Sequence, residues 1–490
     1  MARITLIAAL LAALACGAAE EPNLVVGVVS DVHMNPGDPK HVFEKRFQKA
    51  LRFFDAQKAD AVVGCGDMIE LGWHQWYRLV GKYWNEAFPN GRRSDGQPIE
   101  KLFIYGDHEI ENFWNPNITR AYSREYILAR DIPTYGRART YEESLGEPWA
   151  PILHKRIRGY DFVGANFTMR EDANGRICEE GTVARWGEFI PGFDEFLSAK
   201  RFDPQKPFFC LMHRPPKGTV VSPRVSTSCD ERPTKTMSKY PNCVCFCGHK
   251  HKSATSEHSL WQGAFTCVEV PAMQTVQTDA GHENGWASCD GYVPTDPPQQ
   301  MKRVATSEDG GQCLVMKVYG DRIALERWNV VFGEKVAEDW TVPLPHRPDR
   351  PAASFEARAA QAKPVAFPAD AKVRVERRLG PDRTGVTNGQ YVVTFPRARS
   401  DARHARGYDY RVTAELTKHF WKRVACEKWV YSDKCYLAEA RDTNDVVCVF
   451  SKAEAPGPFE QLQFTVTPYN AFGQPGASVV SEPLKYVPFK

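Results

Sequence analysis

The chain has 490 residues, enough for two or three domains. Its 63 basic and 60 acidic side chains leave a formal net charge of +3. That balance removes the electrostatic case for nucleic acid or an anionic membrane as the main partner. Twelve tryptophans, 35 glycines and 35 prolines fit a loop-rich globular protein, not a disordered one.

The chain begins MARITLIAALLAALACGAAEEP. Arg3 gives a short positive start and Ile4 to Ala15 an apolar run. Ala15-Cys16-Gly17 or Gly17-Ala18-Ala19 offers the small residues of a cleavage site. The run is shorter than the roughly 20 residues that span a bilayer. Residues 1–20 are therefore expected to be a signal peptide, with lipidation at Cys16 a poorer match. The protein is expected to be exported: periplasmic, cell-surface or secreted. No other stretch is apolar and long enough to cross a membrane. Loss of Cys16 leaves an odd number of the 14 cysteines in a compartment that permits disulfides.

Strand-like and helix-like stretches then alternate up to about residue 270. Leu24–Ser30 reads as a strand and His41–Gln57 as a helix, with Val42, Phe43, Phe47, Leu51 and Phe54 at helical spacing. Ala61–Val63 and Lys101–Tyr105 read as strands. Residues 110–160 look irregular. Gly192–Lys200 reads as a helix, Phe208–Met212 as a strand, 214–242 as a long loop and Cys243–Phe246 as a strand. Gly320-Asp321 marks a hairpin that closes a first, α/β domain over 22–345. Residues 346–368, rich in Pro, Ala and Arg, read as a linker. Residues 369–490 hold several short strands, the pattern of an all-β sandwich.

The strand ends carry the chemistry. Asp31 and His33 follow LVVGVVS. Asp67 follows AVV, and Asp107 and His108 follow KLFIY. His213 follows PFFCLM, and His249 and His251 follow CVCFC. Ligands in open α/β sheets bind beyond the carboxyl ends of strands. Asp and His together suit zinc, iron or manganese. These are too many groups for one four-coordinate ion and enough for two that share a carboxylate.

In order, DVH at 31–33, GD at 66–67, GDHE at 106–109, His213 and GHKH at 248–251 resemble the motif set of the calcineurin-like metallophosphoesterases, the purple acid phosphatase-like superfamily. The resemblance covers residues 22–345. It implies a two-sheet α/β sandwich flanked by helices and two divalent or trivalent ions: manganese, iron or zinc. It implies Asp31, His33 and His251 on one ion, His213, His249 and Asp107 on the other, and Asp67 on both. It also implies a bridging hydroxide as nucleophile, His108 beside the phosphoryl group or leaving oxygen, and a phosphate monoester or diester as substrate. Asp107 departs from the family, which has Asn there.

Some residues keep two readings. Arg214 either contacts a phosphate or closes a salt bridge. Cys243, Cys245 and Cys247 share one strand face, as small core residues or with one bridging to a distant cysteine. Trp114 and Asn115 sit where a substrate cleft would be lined. Asn117-Ile118-Thr119 and Asn166-Phe167-Thr168 are glycosylation sequons. FTVTPYNAFGQPGASVVSEPL, at 464–484, resembles the last hairpin of a fibronectin type III domain. That resemblance implies an immunoglobulin-like sandwich with a binding or spacing role, such as contact with a surface or glycan. The competing function is a catalytically degenerate scaffold that binds or adheres through this sandwich.

Overall fold

The structure is a computed structural model. It describes residues 20–109, 137–166, 192–220, 231–285, 310–399 and 406–489, apart from positions 36, 38, 71, 73, 279–280 and 382–385. The signal-peptide segment, Trp114, Asn115 and the Asn117 sequon lie outside the described residues.

The first half is mixed α/β. It opens with β1 (Leu24–Val29), α1 (Val42–Ala56), β2 (Ala61–Gly64), α2 (His74–Ala87) and β3 (Glu100–Phe103). Next come α3 (Arg137–Leu145), β4 (Ile152–Ile157), β5 (Tyr160–Ala165), α4 (Phe193–Ala199) and β6 (Phe208–Met212). They are followed by α5 (Arg232–Met237), β7 (Cys243–Cys247), β8 (Leu260–Gln262) and β9 (Thr266–Glu269). β10 (Gln312–Val318), β11 (Arg322–Asn329), β12 (Glu334–Lys335) and β13 (Trp340–Pro343) end this half.

Two sheets result. One runs β12-β11-β10-β1-β2-β3, with β13 also on β11; the other runs β4-β5-β6-β7-β9-β8. Their centres are parallel: β1 with β2, β2 with β3, and β5, β6, β7 and β9 in turn. All six residues of β1 are buried, as a run of continuous apolar character requires when both faces are covered. Val26, Val28 and Val63 share a core with Phe209, Leu211, Val244 and Phe246, and a Cβ at Gly164 of β5 would meet Leu102 of β3 and Ile104 just after it, so the sheets pack face to face. Outside the first sheet, the Phe54 ring of α1 occupies the space where Gly27 would carry a side chain. Outside the second, Phe193, Leu197 and Met237 of α4 and α5 cover Cys210, Cys243, Cys245, Cys247 and Cys267. Period two thus sends the three β7 cysteines to the helix side and Val244 and Phe246 to the inter-sheet side. All ten described cysteines are thiols.

Of the two stretches expected to be irregular, 110–160 and 214–242, the parts 110–136 and 221–230 lie outside the described residues, and the rest holds regular elements. The first contains α3, and β4 with the start of β5, joined by a turn at Arg158-Gly159 with both residues at positive φ. The second contains α5, which begins with Pro233 in its first turn. The signal overlooked at 152–165 was the Arg-Gly turn between alternating runs.

In the second half, β14 (Arg374–Pro381), β15 (Thr387–Phe395), β16 (Gly407–Lys418), β17 (Trp421–Tyr431), β18 (Val446–Ser451), β19 (Gln461–Asn470) and β20 (Val479–Val480) form two antiparallel sheets. Their orders are β14-β15-β18 and β17-β16-β19-β20. Val393, Phe395 and Phe450 of one share a core with Tyr410, Val412 and Phe464 of the other.

Residues 346–368 carry α6 (Phe355–Ala359), which Ser354 caps by accepting from the Ala357 N–H. This stretch is tied to the first half through Glu257. The Glu257 carboxylate accepts from Arg327 at 2.9 Å, from the Trp340 indole at 2.8 Å and from Arg358. Burial would raise its pKa, but Arg327 and Arg358 hold it below the ordinary carboxylate value. A depressed pKa gives stability that is present above the unfolded value and lost as pH falls through the folded one. Glu257→Ala is therefore expected to cost about 3–5 kcal/mol at pH 7, because two buried cations lose their partner. In urea denaturation the gap between variant and parent should narrow below pH ~4.5; a gap that stays constant with pH would contradict this account.

Candidate metal centre

The residues singled out at the strand ends converge. Asp31, His33 and His251 bring donor atoms within 4.8 Å of one another, and Asp67, Asp107, His213 and His249 form a second such group. Asp67 stands between them: its Oδ2 is 3.7 Å from His33 Nε2 and 3.0 Å from His213 Nε2. His108 joins His33 and Asp67 in a third set of close donors.

The backbone makes this convergence possible at a cost. Asp31 (φ 51), His33 (φ 51), Asp67 (φ 53), His249 (φ 74) and His251 (φ 52) all sit in the left-handed region. Each such residue costs roughly 1–3 kcal/mol and persists only where its surroundings over-determine it. Those surroundings are visible. Asp31 N–H donates to Gly66 O, His33 N–H to Asp67 O, and Gly248 N–H to His213 O. Gly248 has no room for a side chain, since a Cβ there would lie 1.9 Å from Ser30 Oγ.

Three of the imidazoles are held from behind. His213 Nδ1 bonds Cys65 O at 2.8 Å, and His251 Nδ1 bonds Thr275 O at 3.0 Å. His33 Nδ1 lies 2.9 Å from Glu70 Oε2. In all three the Nε2 is left for the cluster: His33 Nε2 is 3.2 Å from His251 Nε2, which is 3.2 Å from Asp31 Oδ1. His213 Nε2 lies 2.7 Å from Asp107 Oδ1, yet these buried atoms lack the alignment of a hydrogen bond. Imidazoles anchored at one nitrogen with carboxylates crowded at the other are the donor set of a metal site. The residues present therefore fit two cations.

The electrostatics are correspondingly tense. Burial would raise Asp31 and Asp107. Instead His251, with His213 and His33, holds Asp31 below the usual range, and His249 and His213 hold Asp107 well below it. Burial would lower His213 and His108, but Asp67 and Asp107 raise both, His108 to about 10 with help from Glu70. Arg214, the remaining candidate, is buried, with Nη2 2.9 Å from Asp107 Oδ2.

Two residues went unassigned in the sequence. Glu70 faces His33 with its carboxylate and accepts from His108 Nδ1 at 2.8 Å with its carbonyl. Glu109, last in the GDHE run, accepts from the N–H groups of Asp67, Met68, Ile69 and Gly106 at 2.6–3.2 Å. It joins the loops after β2 and β3. Burial and Asp67 push its carboxyl up to about 7. Its place in the motif was visible, but a carboxylate turned toward backbone amides has no spacing signature. Of the second sequon only Asn166 is described: its side chain is buried, accepting from Tyr105 N–H and donating to Ala150 O, and is closed to a glycan in the folded chain.

No family model matches the chain, and no curated protein does. Solved structures do match. One is a dimetal phosphatase from Danio rerio, at 12% identity and TM-score 0.34, covering 66% of this chain and 99% of that one. Another is a purple acid phosphatase from yellow lupin (Lupinus luteus) seeds, at 12% identity and TM-score 0.37, covering 66% and 55%. The chain thus spans just over half the length of the lupin protein. A third is a predicted phosphoesterase, a conserved uncharacterized protein from Streptococcus pneumoniae, at 10% identity and TM-score 0.27, covering 65% and 97%. With TM-scores this low, the functional reading rests on the site itself.

Glu109→Ala removes the acceptor for four buried N–H groups. It should destabilise the protein by about 3 kcal/mol or more and reduce bound metal, measured by denaturant melts and elemental analysis. Full metal content with unchanged stability would rule out the organising role.

Proposed function

We propose that the chain is an exported hydrolase of phosphate esters that uses two metal ions. The observation carrying this reading is the convergence of seven Asp and His donors in two groups, with Asp67 of one group 3.7 Å from His33 of the other and five of the seven on left-handed backbone. In this reading the first domain is a calcineurin-like metallophosphoesterase domain and the second a fibronectin type III-like sandwich. The competing reading, a degenerate scaffold, would leave the cost of this strained cluster without a purpose.

Asp31, His33 and His251 would hold one ion, His213, His249 and Asp107 the other, and Asp67 both. When bound, the ions draw charge from the phosphoryl oxygens and make water acidic enough to attack near neutral pH. The chain supplies the rest. Asp67 fixes the separation of the two groups. The Cys65 and Thr275 carbonyls hold His213 and His251 in one tautomer and orientation, and the Glu70 carboxylate faces His33 Nδ1 at 2.9 Å. His108, with Nδ1 on the Glu70 carbonyl, would present Nε2 to the departing oxygen as its proton donor.

Asp67→Asn should lose metal and at least ~10²-fold in hydrolysis of p-nitrophenyl phosphate or its bis ester, measured with manganese. His108→Asn should keep both ions and lose about 10²–10⁴-fold in kcat. An Asp67→Asn protein with full metal and full turnover would refute the shared-carboxylate role. For export, the mass of protein recovered from the producing cell's exterior or periplasm should begin near residue 20. An intact Met1 there would contradict signal cleavage.

A further inference from the structure

We infer that Asp107 and Arg214 act as one unit, in which the guanidinium cancels the extra negative charge that a carboxylate at position 107 brings to the site. The inference rests on the two-ion reading above. Arg214 Nη2 is 2.9 Å from Asp107 Oδ2, and each side chain is 4% exposed, so solvent screens the pair little. The Asp107 carboxylate divides its labour. Oδ1 faces His213 Nε2 at 2.7 Å and His249 Nδ1 at 3.3 Å, while Oδ2 faces Arg214.

Two physical arguments follow from that division. The first is charge. Asp31, Asp67 and Asp107 bring three carboxylates to one buried site. With Arg214 beside Asp107, they present a net charge of −2, the value that neutral residues at both 107 and 214 would leave. Arg214 cannot lose its proton to relieve the site, so the compensation holds at every working pH. The second is donor matching. An amide at 107 with its oxygen toward the imidazoles would turn its NH₂ toward the guanidinium, which has only donors. Asp107 Oδ2 accepts from Arg214; Asn at 107 would set donor against donor. β6 delivers both parts at once, since His213 and Arg214 are consecutive. Arg214 is thus a positioning residue that keeps the site attractive to an anionic substrate while Asp107 serves as a donor.

The test is a double-mutant cycle on the mature chain, read by titration with Mn²⁺ and then with inorganic phosphate. Arg214→Gln should bind Mn²⁺ about tenfold more tightly and phosphate about tenfold more weakly, because Asp107 loses its counter-charge. Arg214→Lys, which keeps the charge, should stay within about threefold of the parent for phosphate. Asp107→Asn should weaken Mn²⁺ binding at least tenfold. Asp107→Asn/Arg214→Gln should return phosphate affinity to within about threefold of the parent. The inference is overturned if Arg214→Gln moves neither affinity, or if the double variant sums the losses of the singles. A parent that binds no Mn²⁺ would defeat the two-ion reading, and melting in chelator would then decide the pair by itself. A unit predicts that the double variant's Tm falls by at least about 3 °C less than the two single losses combined; additive losses would overturn it.

Discussion

Three carboxylates, Asp31, Asp67 and Asp107, are buried within reach of one another, and this crowding of like charge is the constraint around which the first domain is organised. Isolated buried carboxylates would protonate. Here His213 lowers all three, together with His251 at Asp31, His108 at Asp67 and His249 at Asp107. The imidazoles in turn need fixed directions, and His213 and His251 have their far nitrogens pinned to the Cys65 and Thr275 carbonyls, which only the assembled loops provide. The left-handed φ values, the close glycine contacts and the four amide bonds to Glu109 are consequences of bringing those loops together.

The same logic explains why the site lies where it does. Parallel strands end together, and here the carboxyl ends of β1, β2, β3, β6 and β7 meet where the two sheets face each other. Ser30 bridges to Ala272, and Met273 and Gln274 N–H groups bond Ser30 and Asp31 carbonyls, which ties the end of β1 to the loop after β9. The second half of the chain is not remote from this. Val276, one residue from the Thr275 that anchors His251, packs with Tyr431, Tyr436 and Leu437. Gln312 reaches the Tyr436 carbonyl at 2.6 Å. The antiparallel sheets therefore brace a loop of the centre as well as burying their own core.

Much of the frame was legible. The continuous apolar run of β1, the helical spacing of α1 and the Gly-Asp turn between β10 and β11 each report a local rule. So do strand-end Asp and His residues, because a strand followed by a ligand is a short-range pattern. The period-two cysteines declared one shared face, and they occupy it beneath α4 and α5. What escaped notice were elements whose cues were weaker. α3 has no strong apolar stripe, and the β4–β5 hairpin turns on Arg158-Gly159, an uncommon pair for such a turn. Residues 346–368 have a linker's composition, yet Arg358 within them is buried against Glu257, a partner 101 positions away.

The sequence by itself determined which side chains end each strand, that three cysteines share one strand face, and that position 107 carries a charge. Residue type and spacing suffice for these, since each depends on neighbours a few positions apart. The tertiary structure alone decided that Asp67 stands between the two donor groups, that Glu109 gathers four amides and Glu70 backs His33, and that Arg214 turns to Asp107. Those outcomes depend on distances between segments up to some 220 positions apart, such as His33 and His251. Local pattern does not encode such separations; the packing of two sheets sets them.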